Sequence, residues 1–99
     1  MVAKIIIKRR FKPDCTMEVL NLLNDLRAAA MSQPGYISGE TLIGYEDPRR
    51  LTVIGTWQNM ESWHHWKESD KRKEFDAMLM LYEVEQTVYE EYLLGTPRH

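Results

Sequence analysis

The feature that most limits the fold of this chain is the order in which strand-like and helix-like patterns follow one another. The first pattern is VAKIIIKRRF (Val2–Phe11), which is rich in β-branched residues and roughly alternates between its two faces. Such alternation predicts a strand with one apolar face. That face carries Ala3, Ile5, Ile7 and Phe11.

A helical pattern follows this strand. It begins near Pro13-Asp14, and the acidic residues Asp14 and Glu18 lie near its N-terminus, where the helix dipole favours negative charge. Pro34-Gly35 ends the helical region. Between these limits apolar residues recur at helical spacing and form one stripe, which consists of Val19, Leu22, Leu23, Leu26 and Ala30.

The next segment predicts two strands joined by a turn. YISGETLIGYE (Tyr36–Glu46) and LTVIGTWQ (Leu51–Gln58) are β-type runs, and the polar tetrapeptide Asp47-Pro48-Arg49-Arg50 separates them. Two such runs around a short polar turn are typical of a hairpin. On the first run, alternation is expected to place on one face the side chains of Tyr36, Ser38, Glu40 and Leu42.

The C-terminal part of the chain predicts two short helices and a last strand. Asn59 is a candidate N-cap for a helix that runs to about Trp66. Ser69 or Asp70 is the candidate N-cap of the next helix. VEQTVYEEYLL (Val84–Leu94) has the pattern of a final strand.

The order of elements is therefore β-α-β-β-α(α)-β. This is the split βαβ, ferredoxin-like arrangement of the α+β class, in which an antiparallel sheet carries its helices on one face. We expect a single domain over residues 1–99, with a flexible tail at 95–99. The opposite sheet face, which includes Val2 and Ile6, is uncovered unless a partner buries it. A homodimer formed through this sheet face is the expected solution.

Charge and composition argue against several functions. The net charge of −2 argues against a general nucleic-acid binder, and no apolar run approaches the ~20 residues of a membrane helix. Cys15 is the single cysteine and forms no intrachain disulfide, so we expect a cytoplasmic protein. The basic run Lys8-Arg9-Arg10 is expected to pair with glutamates of the last strand, with phosphate or propionate binding as the alternative. These glutamates are Glu83, Glu85, Glu90 and Glu91.

Short motifs occur along the chain in a recognisable order. PGYISGE leads into a strand, DP forms a turn, TW ends the next strand, and ES, W, S and F follow in the helical segment. From Ile5 to Leu94 the chain thereby resembles the antibiotic biosynthesis monooxygenase-like family. The resemblance implies a dimeric α+β barrel. Its markers are Pro34, Gly35, Trp57, Trp66, Ser69 and Phe75.

The chain departs from this family at several positions. Many members have a glutamate where this chain has Gly55, and histidines where it has Trp66 and Lys71. In having a tryptophan at position 66, the chain resembles the branch of the family that contains polyketide-oxidising monooxygenases and haem-degrading enzymes. The polyketide-oxidising enzymes have an asparagine at the position of Ser62.

The haem-degrading enzymes pair that tryptophan with two further residues. They have a histidine where this chain has Asp76, and an asparagine where it has Ile7 or Lys8. Haem degradation by their mechanism is therefore not expected. Trp66 is the residue that the resemblance transfers as catalytic.

The resemblance implies a cofactor-independent monooxygenase that oxidises an aromatic, phenolic or quinol-like small molecule. Such an enzyme binds its ligand in an apolar cavity, helps to remove a proton and stabilises the resulting oxyanion. Trp66 can donate its indole N–H to a substrate oxygen while its ring stacks on the ligand. No cofactor is expected, because the sequence has no Gly-rich phosphate loop and no Cys/His cluster at zinc spacing.

Several residues are candidates for substrate binding. Trp63 lies one helical turn before Trp66 on the same face, and core packing is the alternative role for both. His65 is a candidate general base or axial haem ligand, or else an exposed histidine. Glu40 would be a base only if buried. The remaining candidates, for the pocket wall and a phenolic hydrogen bond, are Phe75, Met78 and Tyr36.

Two other functions remain open at this point. A dimer of the same fold could bind or sense a small hydrophobic ligand without turnover. A haem-binding or haem-degrading relative is the less favoured alternative, and in it His65 would be the ligand of the iron.

Overall fold

The computed structural model describes residues 1–95. Four strands and three helices follow one another in the predicted order, so the ferredoxin-like α+β fold is confirmed. The predicted tail, residues 95–99, lies outside the described residues except for Gly95. The elements are β1 (Ala3–Arg10), α1 (Thr16–Met31), β2 (Tyr36–Ile43), β3 (Arg50–Trp57), α2 (Met60–Lys67), α3 (Asp70–Met80) and β4 (Val88–Leu93).

The four strands form one antiparallel sheet in the order β2-β3-β1-β4. In the centre, Ile5 of β1 faces Gly55 of β3 on one side and Glu91 of β4 on the other. Paired residues project to the same face, so this register places all three on the face that the helices cover. The predicted buried face of the first strand is correct, since Ala3, Ile5, Ile7 and Phe11 are all buried.

The first helix begins later than the sequence pattern indicated. Asp14 has a φ of 63°, a left-handed conformation that an α-helix cannot continue, and the helix starts at Thr16. The chain after α1 turns at Gly35, whose φ is +90° and where a Cβ would collide with the side chain of Ser62. Of the predicted stripe, four members are buried, namely Val19, Leu23, Leu26 and Ala30.

The two short helices begin at side-chain caps. Asn59 Oδ1 accepts a 2.8 Å hydrogen bond from the backbone N–H of Ser62, as predicted. Ser69, not Asp70, caps the next helix, because its Oγ accepts from the N–H of Arg72 at 3.2 Å. These caps fix the start of α2 and of α3, and they orient Trp63 and Trp66 toward the sheet, where both are buried.

An irregular register at the start of β2 changes which face its residues share. Tyr36 pairs with Trp57 and Ser38 pairs with Thr56, so one extra residue lies between them. Tyr36 therefore projects to the helix-covered face, whereas Ser38, Glu40 and Leu42 project to the other. The expectation that all four share one face is wrong, because simple alternation cannot anticipate a bulge.

The uncovered face of the sheet carries both apolar and charged side chains. Ile6 and Ile54 are half-buried at its centre, where they pair across β1 and β3. Leu42, Val88 and Tyr92 are each about half exposed around them. No helix within residues 1–95 is long and apolar enough to cross a bilayer.

The final strand is shorter than predicted. β4 begins at Val88, whereas the pattern indicated Val84. The Val84 N–H donates to the Arg10 carbonyl at 3.0 Å just after a single bridge between Phe11 and Glu83. Residues 84–87 thus bend past the end of β1 before regular pairing starts.

Candidate functional site

An apolar cavity lies between the helices and the covered face of the sheet. Ile5, Ile7 and Val53 line it from the sheet, and Leu23 and Leu26 line it from α1. The volume open to the centre of a water molecule is about 60 Å³. One water needs roughly 10–15 Å³ on this measure, so the cavity accommodates a few waters or a small organic group.

Aromatic side chains form one wall of the cavity. Tyr36 meets Trp57 edge-on, with ring centroids 5.3 Å apart, and Trp57 meets Trp63 at 6.0 Å. Trp66 completes this wall from α2. Aromatic rings in such contact give a rigid surface that suits a planar ligand.

Of the two tryptophans of α2, Trp63 is committed to a structural hydrogen bond. Its indole Nε1 donates to Glu91 Oε2 at 2.7 Å, and the same carboxylate lies 3.0 Å from His64 Nε2. Desolvation raises the pKa of Glu91, but the hydrogen bonds from His64 and Trp63, together with the charges of His64 and Lys67, outweigh it, and the net pKa is lowered. Trp66 makes no such contact with Glu91. It lines the cavity, and only 1% of its surface is exposed.

The glutamates of β4 do not all pair with the basic run. Lys8 bonds Glu90 at 3.1 Å, as expected for cross-strand neighbours on the open face. Arg10 instead bonds Asp47 at 3.1 Å. Arg9 projects to the covered face, where it is buried and lines the cavity. The expectation that this run pairs with the last strand is therefore correct only for Lys8.

Arg72 of α3 is the second buried arginine at the cavity. Its Nε donates to Asp76 Oδ1 at 3.0 Å and its Nη2 donates to the Tyr89 hydroxyl at 3.2 Å. Its guanidinium carbon also lies 5.3 Å from the ring centroid of Trp63. From the sequence, Arg9 was named only within the basic run, with phosphate or propionate binding as the alternative role, and Arg72 was not identified. The parity of position 9 with Ile5 and Ile7 was a signal that Arg9 lies on the covered face.

The predicted site residues divide into three groups. Tyr36, Trp63 and Trp66 line the cavity. Phe75 is buried in the core but does not line it. His65 and Met78 are exposed and lie outside it.

Gly55 opens space in the floor of the cavity. It pairs with Ile5 and lines the cavity with its backbone alone. A Cβ built at this position would have its nearest contact at 3.5 Å, with Trp57 Nε1. At this position, where the resemblance implies a glutamate in many members, this chain thus has no side chain in the cavity.

The comparison with family models decides the classification. The model of the antibiotic biosynthesis monooxygenase family matches residues 2–78. The chain belongs to this family. No curated protein matches the sequence.

Several solved structures have the same fold as this chain. A conserved protein from Methanosarcina mazei is 24% identical, with a TM-score of 0.87 over 93% of this chain and 91% of its own. A putative antibiotic biosynthesis monooxygenase from Nitrosomonas europaea is 15% identical, with a TM-score of 0.85 over 92% and 88%. SnoaB, a cofactor-independent oxygenase from Streptomyces nogalater, is 9% identical, with a TM-score of 0.86 over 97% and 95%. At these identities the likeness establishes the fold alone.

The residues of this family member do not fit a haem. The cavity of about 60 Å³ is too small for the macrocycle, and His65 lies outside it. Within residues 1–95 no group of three or more histidine, cysteine or acidic side chains is placed to hold a metal ion.

Proposed function

We propose that this chain is a cofactor-independent monooxygenase that oxidises a small aromatic, phenolic or quinol-like molecule. The observation that carries the proposal is the aromatic cavity, which Trp66 lines in a chain of this family. SnoaB, which shares the fold, is described as a cofactor-independent oxygenase. The proposed site is therefore the space enclosed by Trp57, Trp63 and Trp66.

The reaction needs no group other than substrate and dioxygen. The deprotonated substrate gives electrons to dioxygen, and a carbon–oxygen bond forms to give a hydroperoxide. Loss of water then leaves a carbonyl, so a CH₂ and O₂ become C=O and H₂O. One oxygen atom stays on carbon, and the other leaves with both hydrogens of the original CH₂.

The protein's part in this reaction is to bind the substrate and stabilise its anion. The aromatic wall orients the ring, and the apolar floor keeps water from the reacting carbon. Of the two tryptophans of α2, Trp63 has its indole N–H bonded to Glu91, so Trp66, which the resemblance marks as catalytic, is the one assigned to donate to the substrate oxygen. A fixed donor in a desolvated site stabilises an oxyanion more strongly than water does.

Oxygen uptake tests this proposal. Purified protein is given a panel of single-ring phenols and hydroquinones, with naphthols and anthrones as larger members, beside the Trp66→Phe variant, which keeps an aromatic ring and lacks the N–H. We expect uptake above background that falls at least tenfold in Trp66→Phe, since a lost hydrogen bond to a charged oxygen costs about 1.5–3 kcal/mol. His65→Gln, outside the cavity, is the matched control and should retain the rate. No uptake with any member of the panel, or uptake unchanged by Trp66→Phe, would refute the assignment.

Binding without turnover is the second candidate function. It is favoured by the lack of a histidine among the residues lining the cavity in the described part of the chain, and by Gly55 at the family's glutamate position. Saturable quenching of tryptophan fluorescence by the same panel under argon, together with no uptake in air, would establish this alternative over the oxygenase.

We also propose that the chain forms a homodimer through the uncovered face of the sheet. The apolar side chains of that face are half exposed in the single chain, and burial against a second copy would remove them from water. Ile6 and Ile54 lie at its centre, and Leu42, Val88 and Tyr92 surround them.

A further inference from the structure

Arg9 is a buried cation without hydrogen bonds. It lies on β1, the central strand with β3 on one side and β4 on the other, and its side chain is 1% exposed. Its Nε, Nη1 and Nη2 have no hydrogen-bond partner among residues 1–95. An isolated charge in an apolar interior is costly, and most buried polar groups are paired.

The neighbouring acidic groups make no hydrogen bond to Arg9. Asp76 Oδ1 is 3.8 Å from Arg9 Nη2, but the same oxygen accepts the 3.0 Å hydrogen bond from Arg72 Nε. Tyr89 accepts from Arg72, and Glu83, the other acidic group near Arg9, accepts a hydrogen bond from Thr87. Two guanidinium groups thus share one close carboxylate, and no acceptor among the described residues lies within hydrogen-bond distance of Arg9.

Burial also affects the titration of Arg9. Desolvation and the nearby Arg72 lower the pKa of Arg9, with partial opposition from Tyr89, Asp76 and Glu83. The guanidinium nevertheless stays protonated at neutral pH, because arginine side chains are not deprotonated in proteins. The chain therefore retains a desolvated positive charge on a strand face whose other members are Ala3, Ile5 and Ile7.

The geometry points to Arg9 as an anion-binding group, so that the cavity takes a single-ring aromatic molecule carrying a planar oxyanion, either a carboxylate or a deprotonated phenol or enol. This inference rests on the proposed function only in placing the ligand in the same cavity. The guanidinium donates to the oxygens of the anion, and the ring lies against the wall of Trp57, Trp63 and Trp66. A planar fork of N–H donors matches such a group. The cavity volume of about 60 Å³ favours one ring over a polycyclic ligand.

A pair of matched ligands tests the inference without any turnover. Benzoate and benzamide have nearly the same shape and differ in charge. In calorimetric titrations under argon, benzoate should bind the unmodified protein at least about tenfold more tightly than benzamide does. This difference is expected for a charge-assisted hydrogen bond. A second arm measures the affinity of 4-nitrophenol above and below its own pKa, that is, as phenolate and as phenol. Comparison of the phenolate with benzoate then shows which of the two anions the site prefers.

Three variants locate the charge that is responsible. Arg9→Met should abolish the preference for benzoate while benzamide still binds. Arg9→Lys should retain part of it, because the charge stays and the fork is lost. Arg27→Met removes an exposed guanidinium that also lines the cavity, and it should retain the preference. The inference is overturned if the unmodified protein does not distinguish the ligands, or if Arg27→Met removes the preference and Arg9→Met does not.

These results separate the inference from the proposed function. Arg9-dependent binding of benzoate together with no oxygen uptake on the panel would remove the oxygenase and keep the anion site. Trp66-dependent oxygen uptake with no preference for benzoate over benzamide would keep the oxygenase and remove the anion site. Circular dichroism would show whether Arg9→Met folds. If it does not, the affinities of benzoate and benzamide for the unmodified protein and for Arg9→Lys still decide whether Arg9 binds the anion.

Discussion

The indole Nε1 of Trp63 donates a 2.7 Å hydrogen bond to Oε2 of Glu91, and this bond joins α2 to β4 at the edge of the sheet. The same carboxylate lies 3.0 Å from His64 Nε2. One glutamate thereby holds the helix that carries Trp66 against the sheet. The position of the proposed catalytic residue depends on a residue that does not touch the cavity.

Glu91 should give the protein a specific dependence on acid. Its pKa is lowered, because the hydrogen bonds from His64 and Trp63, together with the charges of His64 and Lys67, outweigh the rise caused by desolvation. The ionised form thus stabilises the fold above the ordinary glutamate pKa of about 4.3, and the contribution is lost as pH falls through the lower folded value. Glu91→Gln should lose about 1 kcal/mol at neutral pH and show a flatter acid limb in urea unfolding.

Glu90→Gln is the matched control for this experiment. Glu90 lies on the open face and pairs with Lys8, whose side chain is 53% exposed. An exposed ion pair contributes little, so this variant should unfold within about 0.5 kcal/mol of the unmodified protein at all pH values. Equal effects of the two substitutions would contradict the structural role of Glu91.

The two buried arginines at the cavity, Arg9 and Arg72, should affect stability in opposite directions. Arg9→Met removes an unpaired buried charge and keeps a side chain of similar length, so the free energy of unfolding should stay equal or rise by about 1 kcal/mol. Arg72→Met breaks hydrogen bonds to Asp76 and Tyr89 and should cost about 2 kcal/mol. Urea unfolding of both variants measures the contrast. A large loss in Arg9→Met would identify Arg9 as a structural residue.

Gly55→Ala should reduce the room for ligand without harm to the fold. Gly55 has no positive φ, and the nearest atom to an added Cβ is at 3.5 Å. We expect the free energy of unfolding to stay within about 1 kcal/mol of that of the unmodified protein. The affinity for benzoate should be at least about fivefold weaker, since excess volume in a packed site costs about 1–3 kcal/mol. Ile54→Val, the adjacent position facing the open side, should leave the affinity unchanged. Calorimetric titration of both variants checks this.

The sequence predicts those parts of the structure that depend on local pattern. Alternation in β1 identified Ala3, Ile5 and Ile7 as buried, and cap chemistry identified Asn59. The extra residue before Ser38 was not predicted, because a bulge depends on how the strand pairs with β3 and is not visible in the composition of β2.

The candidate site was predictable only in part for the same reason. Trp63 and Trp66 were identified as facing one side of a helix, and both line the cavity. Arg9 lies within a run of basic residues, and the run was interpreted from its charge as a set of cross-strand ion pairs. The alternation of β1, which places position 9 on the buried face with Ile5 and Ile7, was given less weight. The bond between Trp63 and Glu91 joins residues 28 positions apart and requires the register of β1 with β4, which composition does not encode.

The uncovered sheet face should control association. Leu42 is 47% exposed on that face, and a lysine there would place a charge in the proposed interface. Leu42→Lys should shift sedimentation equilibrium from dimer to monomer at micromolar concentration. Met80→Lys is the matched control, because Met80 is 68% exposed on α3, away from the sheet, and its variant should sediment as the unmodified protein does. An unmodified chain that sediments as a monomer, or a Leu42→Lys variant that remains dimeric, would show that this face is not the interface.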